Sequence, residues 1–262
     1  MNRFIEDIKK YAEYTKFAAK AELKSEVANS HLSWLWWLLD PMLFMIVYSF
    51  LALIVFGKGE SYFSAFVFIG LSVWNFFQKT IKASVKIVSS NKAIVSKVYL
   101  PKYILVLQKI LSNGFKMMIS FALVFCMMVL YRVPVSYRVL YLIPLILLLV
   151  LLTFGFGTIF CHFGVFVEDL TNVTDVLLRL VFYLSGIFYS ISARVADYPW
   201  AATILLKWNP VAFIINESRN VLLYNTDPNW MIVGIWYVIS IVLIVIGVRT
   251  IYRYENSYVK VM

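Results

Sequence analysis

The chain is 262 residues long, 62% hydrophobic and 18% aromatic. Soluble domains are about half apolar, so this composition excludes an ordinary soluble domain and points to a membrane protein. The net charge of +10 invites a nucleic-acid partner. Its lysines and arginines gather at the edges of apolar runs, where cytoplasmic loops carry them, so no nucleic acid is expected.

Residues 2–24 come first. Phe4, Ile5, Ile8, Tyr11, Ala12, Thr15, Ala18, Ala19 and Leu23 recur at helical spacing, with Lys9, Lys10, Glu13, Lys16 and Lys20 on the other face. The pattern predicts an amphipathic helix in the cytoplasmic membrane interface, next to headgroup anchors at Trp34, Trp36 and Trp37. A solvated helix packed on a partner protein is the alternative. The opening residues are too polar for a secretion signal, and none is expected.

A helix needs about 20 apolar residues to cross the hydrocarbon core. Six runs are expected to do so: 35–56, 62–85, 104–130, 139–164, 173–191 and 230–250. The fifth is short and carries Arg179. The GKG at 57–59 reads as an external turn. One set of cations comprises Arg3, Lys9, Lys10, Lys16, Lys20, Lys24, Lys79, Lys82, Lys86, Lys92, Lys97, Lys102, Arg249, Arg253 and Lys260. The opposite loops hold only Lys58, Arg132, Arg138, Arg194, Lys207 and Arg219. Both termini are therefore expected in the cytoplasm.

Between the second and third runs lies SSNKAIVSKVYLPKYILVLQ, residues 89–108. Ser90 or Asn91 can cap a short helix, and Leu100 before Pro101 is biased away from helix. Ile94, Val95, Val98 and Tyr99 form its apolar face; Lys92, Ser96 and Lys97 form the polar one. A cytoplasmic helix fixed between two spans is a lever that can pass a partner's motion into the membrane; lysines snorkelling at a membrane edge are the plainer alternative. The external segment 192–229 is long and partly apolar. Trp208, Asn209 and Pro210 supply a break, after which Val211, Ile214, Ile215, Ser218, Val221 and Leu222 share a helical face. Two short helices dipping into the outer leaflet are expected, a re-entrant hairpin tolerated only where protein or a wet cavity covers it; a plain interfacial loop is the alternative. The fold class is thus all-α: one transmembrane domain over 1–262, six spans, an interface helix, a cytoplasmic helix at 91–101 and an external hairpin.

Metal and nucleophilic chemistry find little support. Cys126 and Cys161 sit inside apolar runs and read as small hydrophobes. His31 and His162 lack ligand-spaced partners. Asp169 with His162 is the one hint of an acid–base pair for a membrane glycosyl- or acyltransferase. In the third run Gln108, Lys109, Ser112, Asn113, Lys116 and Ser120 share a stripe. Ionisable groups in a span face protein or water. Lys109 can snorkel to the cytoplasm, while Lys116 is deeper and is expected to pair with Asp40, Asp169 or Asp175, or to meet an anionic ligand. Arg179 can pair with Asp175 one turn before it or meet a lipid phosphate.

NKAIVSKVYLPKYILVL resembles the first cytoplasmic loop of permease subunits of bacterial ATP-binding-cassette exporters for lipid-linked polysaccharides and teichoic acids. In that family the loop carries a coupling helix ending before a proline. SWLWWLLDPMLFMIVYSF resembles the family's Trp-rich start of span one. FVEDLTNVTDVLLRLVFYLSGIFY resembles the stretch joining spans four and five, although Glu168 stands where the family has arginine and Gly186 where it has proline. WNPVAFIINESRNVLLY resembles the Asn-Pro segment with a following arginine, here Asn209, Pro210 and Arg219. Together these motifs cover nearly the whole chain in order.

The resemblance implies a homodimer of six-span subunits in the bacterial cytoplasmic (inner) membrane. It also implies two copies of a separate ATPase docked on Asn91, Lys92, Ile94, Val95, Lys97, Val98, Tyr99 and Pro101. The sequence carries no G-x-x-x-x-G-K-[ST] phosphate loop, so ATP and magnesium are expected on the partner, and the chain itself is not expected to be an enzyme or to hold a cofactor. The implied cargo is an undecaprenyl-linked polysaccharide, O-antigen first, with teichoic acid and capsule as the other classes. Aromatic faces suit sugar rings, which makes Trp37, Phe44, Trp74, Phe76, Phe77, Phe182, Phe188 and Tyr189, with Lys116, the expected path alongside membrane lipid. An exporter of a drug or small lipid, a membrane transferase and a passive channel are the rival classes.

Overall fold

The computed structural model describes residues 2–28, 32–55, 62–195, 197–255 and 257–258. His31, the GKG at 57–59 with Lys58, the last residue of the first expected span and Lys260 lie outside the described residues. All regular structure among them is helical. The α-helices are α1 (Asn2–Val27), α2 (Trp36–Val55), α3 (Phe63–Ser90), α4 (Lys92–Val95), α5 (Lys102–Leu130), α6 (Leu142–Phe166), α7 (Leu170–Leu184), α8 (Ile191–Arg194), α9 (Pro199–Thr203), α10 (Pro210–Leu222) and α11 (Trp230–Arg253). Short 3-10 turns precede α2 and α6, and a π turn over Ile204–Trp208 follows α9.

Three described helical stretches are long and apolar enough to cross a bilayer: Lys102–Leu130, Tyr137–Phe166 and Trp230–Arg253. They correspond to the third, fourth and sixth expected spans. The second expected run overlaps α3, which has 28 residues and is about 42 Å long at 1.5 Å per residue. Its C-terminal half carries Gln78, Lys79, Lys82 and Lys86, which lowers its apolarity. The fifth differs most. α7 starts earlier than expected and stops at Leu184, after 15 residues, or about 22 Å. Gly186 ends it by taking φ of 61°, a left-handed conformation that a helix cannot continue through. A proline, fixed near −65°, could not hold that angle.

α3 is the hub. It packs against α2, α5, α6, α7 and α10, while α11 lies along α6. From Ala65 to Trp74 every α3 side chain is buried. At the α3–α6 crossing, a Cβ on Gly164 would sit 2.0 Å from the Val85 carbonyl oxygen.

α1 covers the amphipathic stretch expected from the sequence and extends to Val27. Its inner stripe faces the chain's own α5, with Thr15 and Ala19 buried, because acids at Asp7 and Glu22 find partners there. Ile5 and Phe17 remain exposed on its other faces. In the hairpin, Asn209 caps α10 by accepting from the backbone N–H groups of Val211 and Ala212 at 3.1 and 3.2 Å, with Pro210 in the first turn. Val211, Ile214, Ile215, Ser218, Val221 and Leu222 are each at most 1% exposed, so the face read from the sequence is buried, and Ala212, Phe213, Glu217 and Arg219 are buried with it.

Gly164→Ala is expected to cost about 1–3 kcal/mol through overpacking, because backbone, not a flexible side chain, opposes the added methyl. A lower unfolding temperature of the detergent-purified protein, with Gly234→Ala unchanged as control, would show it; a Cβ at Gly234 meets nothing within 4 Å.

Candidate functional site

The break after α7 leaves main-chain carbonyls without helical partners, and Arg219 satisfies them. Its guanidinium is buried and donates to the carbonyls of Phe66 (3.0 Å), Gly186 (2.8 Å) and Ile187 (2.7 Å). It also lies 3.4 Å from the Phe66 ring centroid, a cation–π stack. Gly70 leaves the room: a Cβ there would come 2.7 Å from Arg219 Nη2. One side chain thus joins α3, the 185–190 turn and α10. Arg219 belongs to this internal clamp rather than to the loop charge the sequence reading assigned it.

Beneath that clamp, two adjoining cavities run along the α2–α3 side. The first, of about 570 Å³, is lined by α1, α2, α3 and α5, including Trp36, Trp37, Asn75, Phe76, Asn113, Lys109 and Lys116. The second, of about 550 Å³, lies between α2, α3 and α7 and includes Phe44, Trp74, Gln78, Phe182, Tyr183 and Arg179. Asp40, Asn75 and Lys79 line both, with Lys79 3.9 Å from Asp40. Rings and polar groups therefore share one open groove.

Trp37, Phe44, Trp74, Phe76, Phe182 and Lys116 line these cavities. Phe77 does not; it is buried between Trp74 and Phe156, at centroid distances of 6.1 and 6.3 Å. Phe188 packs on Phe182, and the Tyr189 hydroxyl donates to the Tyr183 carbonyl at 2.7 Å. Neither lines the groove.

The charge pairings depart from the sequence reading. Lys116 pairs with Glu26 of α1, at 2.7 Å, and not with Asp40, Asp169 or Asp175. Lys109 does not snorkel; it pairs with Glu22, which also accepts from Gln108 Nε2 (3.3 Å) and Ser112 Oγ (3.1 Å). Asp175 pairs with Lys82 of α3 at 2.9 Å, leaving the Arg179 guanidinium without an ion pair among the described residues. His162 Nδ1 shares a 2.7 Å hydrogen bond with the Tyr258 hydroxyl, and the imidazole sits among Phe163, Phe166, Tyr254 and Tyr258. That cage takes His162 away from Asp169, which is exposed. Cys126 is exposed rather than buried; Cys161 is buried, and neither is in a disulfide.

The basic segment between α3 and α5 forms a tighter turn than expected. α4 spans only Lys92–Val95, though helical hydrogen bonds continue to Val98, whose N–H donates to the Ile94 carbonyl at 3.0 Å. Asn91 makes no side-chain cap to α4. Its amide donates to the Ile87 carbonyl at 2.7 Å, closing α3 instead. Of the expected apolar face only Val95 is buried; Ile94, Val98 and Tyr99 are 42%, 57% and 50% exposed. Lys92 and Lys97 are exposed and Pro101 is buried at the start of α5.

α1 clasps this turn. Tyr11 donates its hydroxyl to the Tyr99 carbonyl at 3.0 Å, and Arg3 binds both the Tyr99 hydroxyl and Glu255. Asp7 accepts from Tyr103 (2.9 Å) and Tyr252 (2.8 Å). Partial burial and the neighbouring Glu255 push the Tyr99 phenol up, so it stays neutral and able to donate. The sequence reading passed over Asp7, Glu22 and Glu26. The signal was there: residues 7, 11, 15, 18, 22 and 26 follow one helical stripe, and acids on the apolar side of an amphipathic helix need a partner.

The family model described as ABC-2 type transporter matches residues 14–223. The chain belongs to the ABC-2 type transporter family. It is a multi-pass membrane component, not an enzyme of its own. It is 24% identical over 242 residues to an O-antigen export system permease protein, RfbA, of Klebsiella pneumoniae, covering 92% of each chain. A protein of the same description from Myxococcus xanthus is 23% identical over 229 residues, 87% of each.

Arg219→Lys is expected to cost about 2–5 kcal/mol, since an ammonium cannot serve three carbonyls in a fixed plane and leaves buried acceptors unpaired. Gly70→Ala is expected to act in the same direction. Unfolding temperatures of both variants and their combination check this, and the double variant should fall short of the sum because the two share one contact.

Proposed function

We propose that this chain is the permease subunit of an ATP-driven exporter of undecaprenyl-linked polysaccharide, O-antigen in the first place. The observation that carries the reading is the groove. Trp36, Trp37, Phe44, Trp74, Phe76, Phe182 and Tyr183 offer flat faces for sugar rings, and Arg179 stands on its wall without an ion pair among the described residues. An anionic headgroup is the partner such a guanidinium fits. The description of the relatives as O-antigen export permeases supports the same cargo.

In this reading the protein is a homodimer of six-span subunits in the cytoplasmic membrane, both termini in the cytoplasm. The outward sides of α2 (Leu43, Phe44, Ile46, Val47) and α7 (Val173, Val176, Leu177, Leu180) are exposed beside the groove, and a second copy closes it into a path between protomers. The 192–229 hairpin re-enters the outer leaflet, held by Arg219. Two copies of a separate ATPase bind the cytoplasmic face, where Ile94, Val98 and Tyr99 project from the α4 turn as an apolar knob ringed by Lys92 and Lys97. ATP and magnesium are bound by that ATPase and not by this chain.

The test is complementation. The chain with its ATPase should restore surface O-antigen to cells lacking their own permease. Ile94→Glu/Val98→Glu should abolish co-purification of the ATPase and with it export. Arg179→Gln should keep the assembly and its ATPase activity but reduce export at least tenfold. Restored growth or drug efflux without surface polysaccharide would move the cargo to another class.

A further inference from the structure

We propose that Glu22 and Glu26 of α1 form an internal competitor for the substrate's anionic headgroup, occupying Lys109 and Lys116 until movement of the α4 turn withdraws them. The inference rests on the exporter reading above and adds to Arg179 a second, regulated contact for the same headgroup in the adjoining cavity.

Charge balance is the first observation. The larger cavity is lined by Lys79, Lys109 and Lys116 and by Glu22, Glu26 and Asp40, so its charges cancel. Two of the three acids arrive on α1, which is a separate element laid against α5. Without them the wall carries two uncompensated cations, the charge that a diphosphate diester, with two negative charges, requires. Both ion pairs are partly shielded from water: side-chain exposures are 26% and 17% for Lys109 and Glu22, and 20% and 37% for Lys116 and Glu26. An exposed lysine pair would have little hold on a headgroup; these sit where the local dielectric is lower and charge matters more.

Mechanical connection is the second. α1 runs from Asn2 to Val27 without glycine or proline. Asp7 and Glu22 lie about 22 Å apart along its axis at 1.5 Å per residue. Its first turns are tied to Tyr99, Tyr103, Tyr252 and Glu255, and its last turns carry the two glutamates. Arg3 and Tyr11 hold Tyr99 of the turn, while Asp7, Glu22 and Glu26 hold α5, so a shift of the turn that α1 follows must break contacts along α5. The weaker set yields first. The Asp7 end has two phenol donors, an aromatic stack of Arg3 over Tyr252 at 4.4 Å and a backbone contact at Tyr99; Glu22 has Lys109, Gln108 and Ser112, and Glu26, with Lys116 alone, yields before it. Freed lysines then take a phosphate, and return of the rod expels it.

The test uses the full chain with its ATPase in nanodiscs. The probe is a polyprenyl diphosphate doped into the lipid, with phosphatidylglycerol alone and free inorganic pyrophosphate as parallel arms. Without nucleotide, Glu22→Gln/Glu26→Gln should bind the polyprenyl diphosphate at least tenfold tighter than wild type. Lys109→Gln/Lys116→Gln should lose that binding. A gain seen equally with phosphatidylglycerol or free pyrophosphate would identify a general phosphate seat rather than one for the lipid-linked diphosphate. Unchanged or weaker binding in the glutamine pair overturns the competitor. A charge exchange, Glu26→Lys/Lys116→Glu, keeps a pair in place and so guards against simple misfolding. It should assemble as wild type yet export at least tenfold less, and wild-type export in that variant would overturn the receiving role. A Glu26→Cys/Lys116→Cys pair should crosslink without nucleotide and stop when ATP is trapped; crosslinking in both states overturns the withdrawal. Wild-type complementation separates the two claims. If wild type restores O-antigen and these variants disagree, only this inference falls; if wild type restores none, the exporter reading falls.

Discussion

A guanidinium inside an apolar helical bundle must find acceptors, and Arg219 finds them in carbonyls that the end of α7 leaves open. The meeting of α3, the 185–190 turn and α10 follows from that exchange. Gly186 can break the helix because its carbonyl and that of Ile187 are satisfied from α10. α10 can lie inside the bundle because its cation has three acceptors and a ring to stack on. Gly70 completes the arrangement by leaving α3 flat under the guanidinium. An unpaired buried charge would be far too costly; here charge and orphaned backbone cancel each other's penalty.

Along α1 the same balance is built from acids. α1 is amphipathic enough to lie on a membrane, yet its carboxylates have partners on α5, and those partners sit in a low-dielectric wall where leaving lysines unpaired is unfavourable. The clasp around Tyr99 and the pairs at Lys109 and Lys116 place one rigid element in contact with both the α4 turn and the groove. Hydrophobic packing alone would give α1 a position; the ion pairs give it a register.

The groove itself combines two requirements that rarely coincide in a bilayer. In the proposed export reading a sugar chain needs flat apolar faces and wet polar rims, and the α2–α3 side has rings from three helices with Asn75, Gln78 and Asn113 among them. α2 and α7 leave apolar sides uncovered beside it.

How much of this was legible beforehand differs by the range of the interaction. Apolar run length and lysine placement gave the helical membrane class, and the ends of α5, α6 and α11 fell within a few residues of the runs that defined them. The Asn209–Pro210 cap and the buried face of α10 were local patterns and could be read directly. The ordered motifs gave the family. Pairing could not be read in this way. Lys116 had several acids within plausible reach, and only the crossing of α1 over α5 brought Glu26, 90 positions away in the chain, ahead of Asp40. Asp175 went to Lys82 on a neighbouring helix in place of Arg179 on its own, because a cross-helix contact outcompeted the turn-to-turn one. Phe77 and Trp74 look alike in sequence, but a helix buried on nearly all sides shows the cavity only some of its rings. The sequence by itself determined which segments are helices, that they belong in a membrane and which family they form, since those follow from periodicity and hydropathy. Tertiary structure alone decided which charges meet, where α7 stops and which aromatics face open space, because these depend on how separate helices cross.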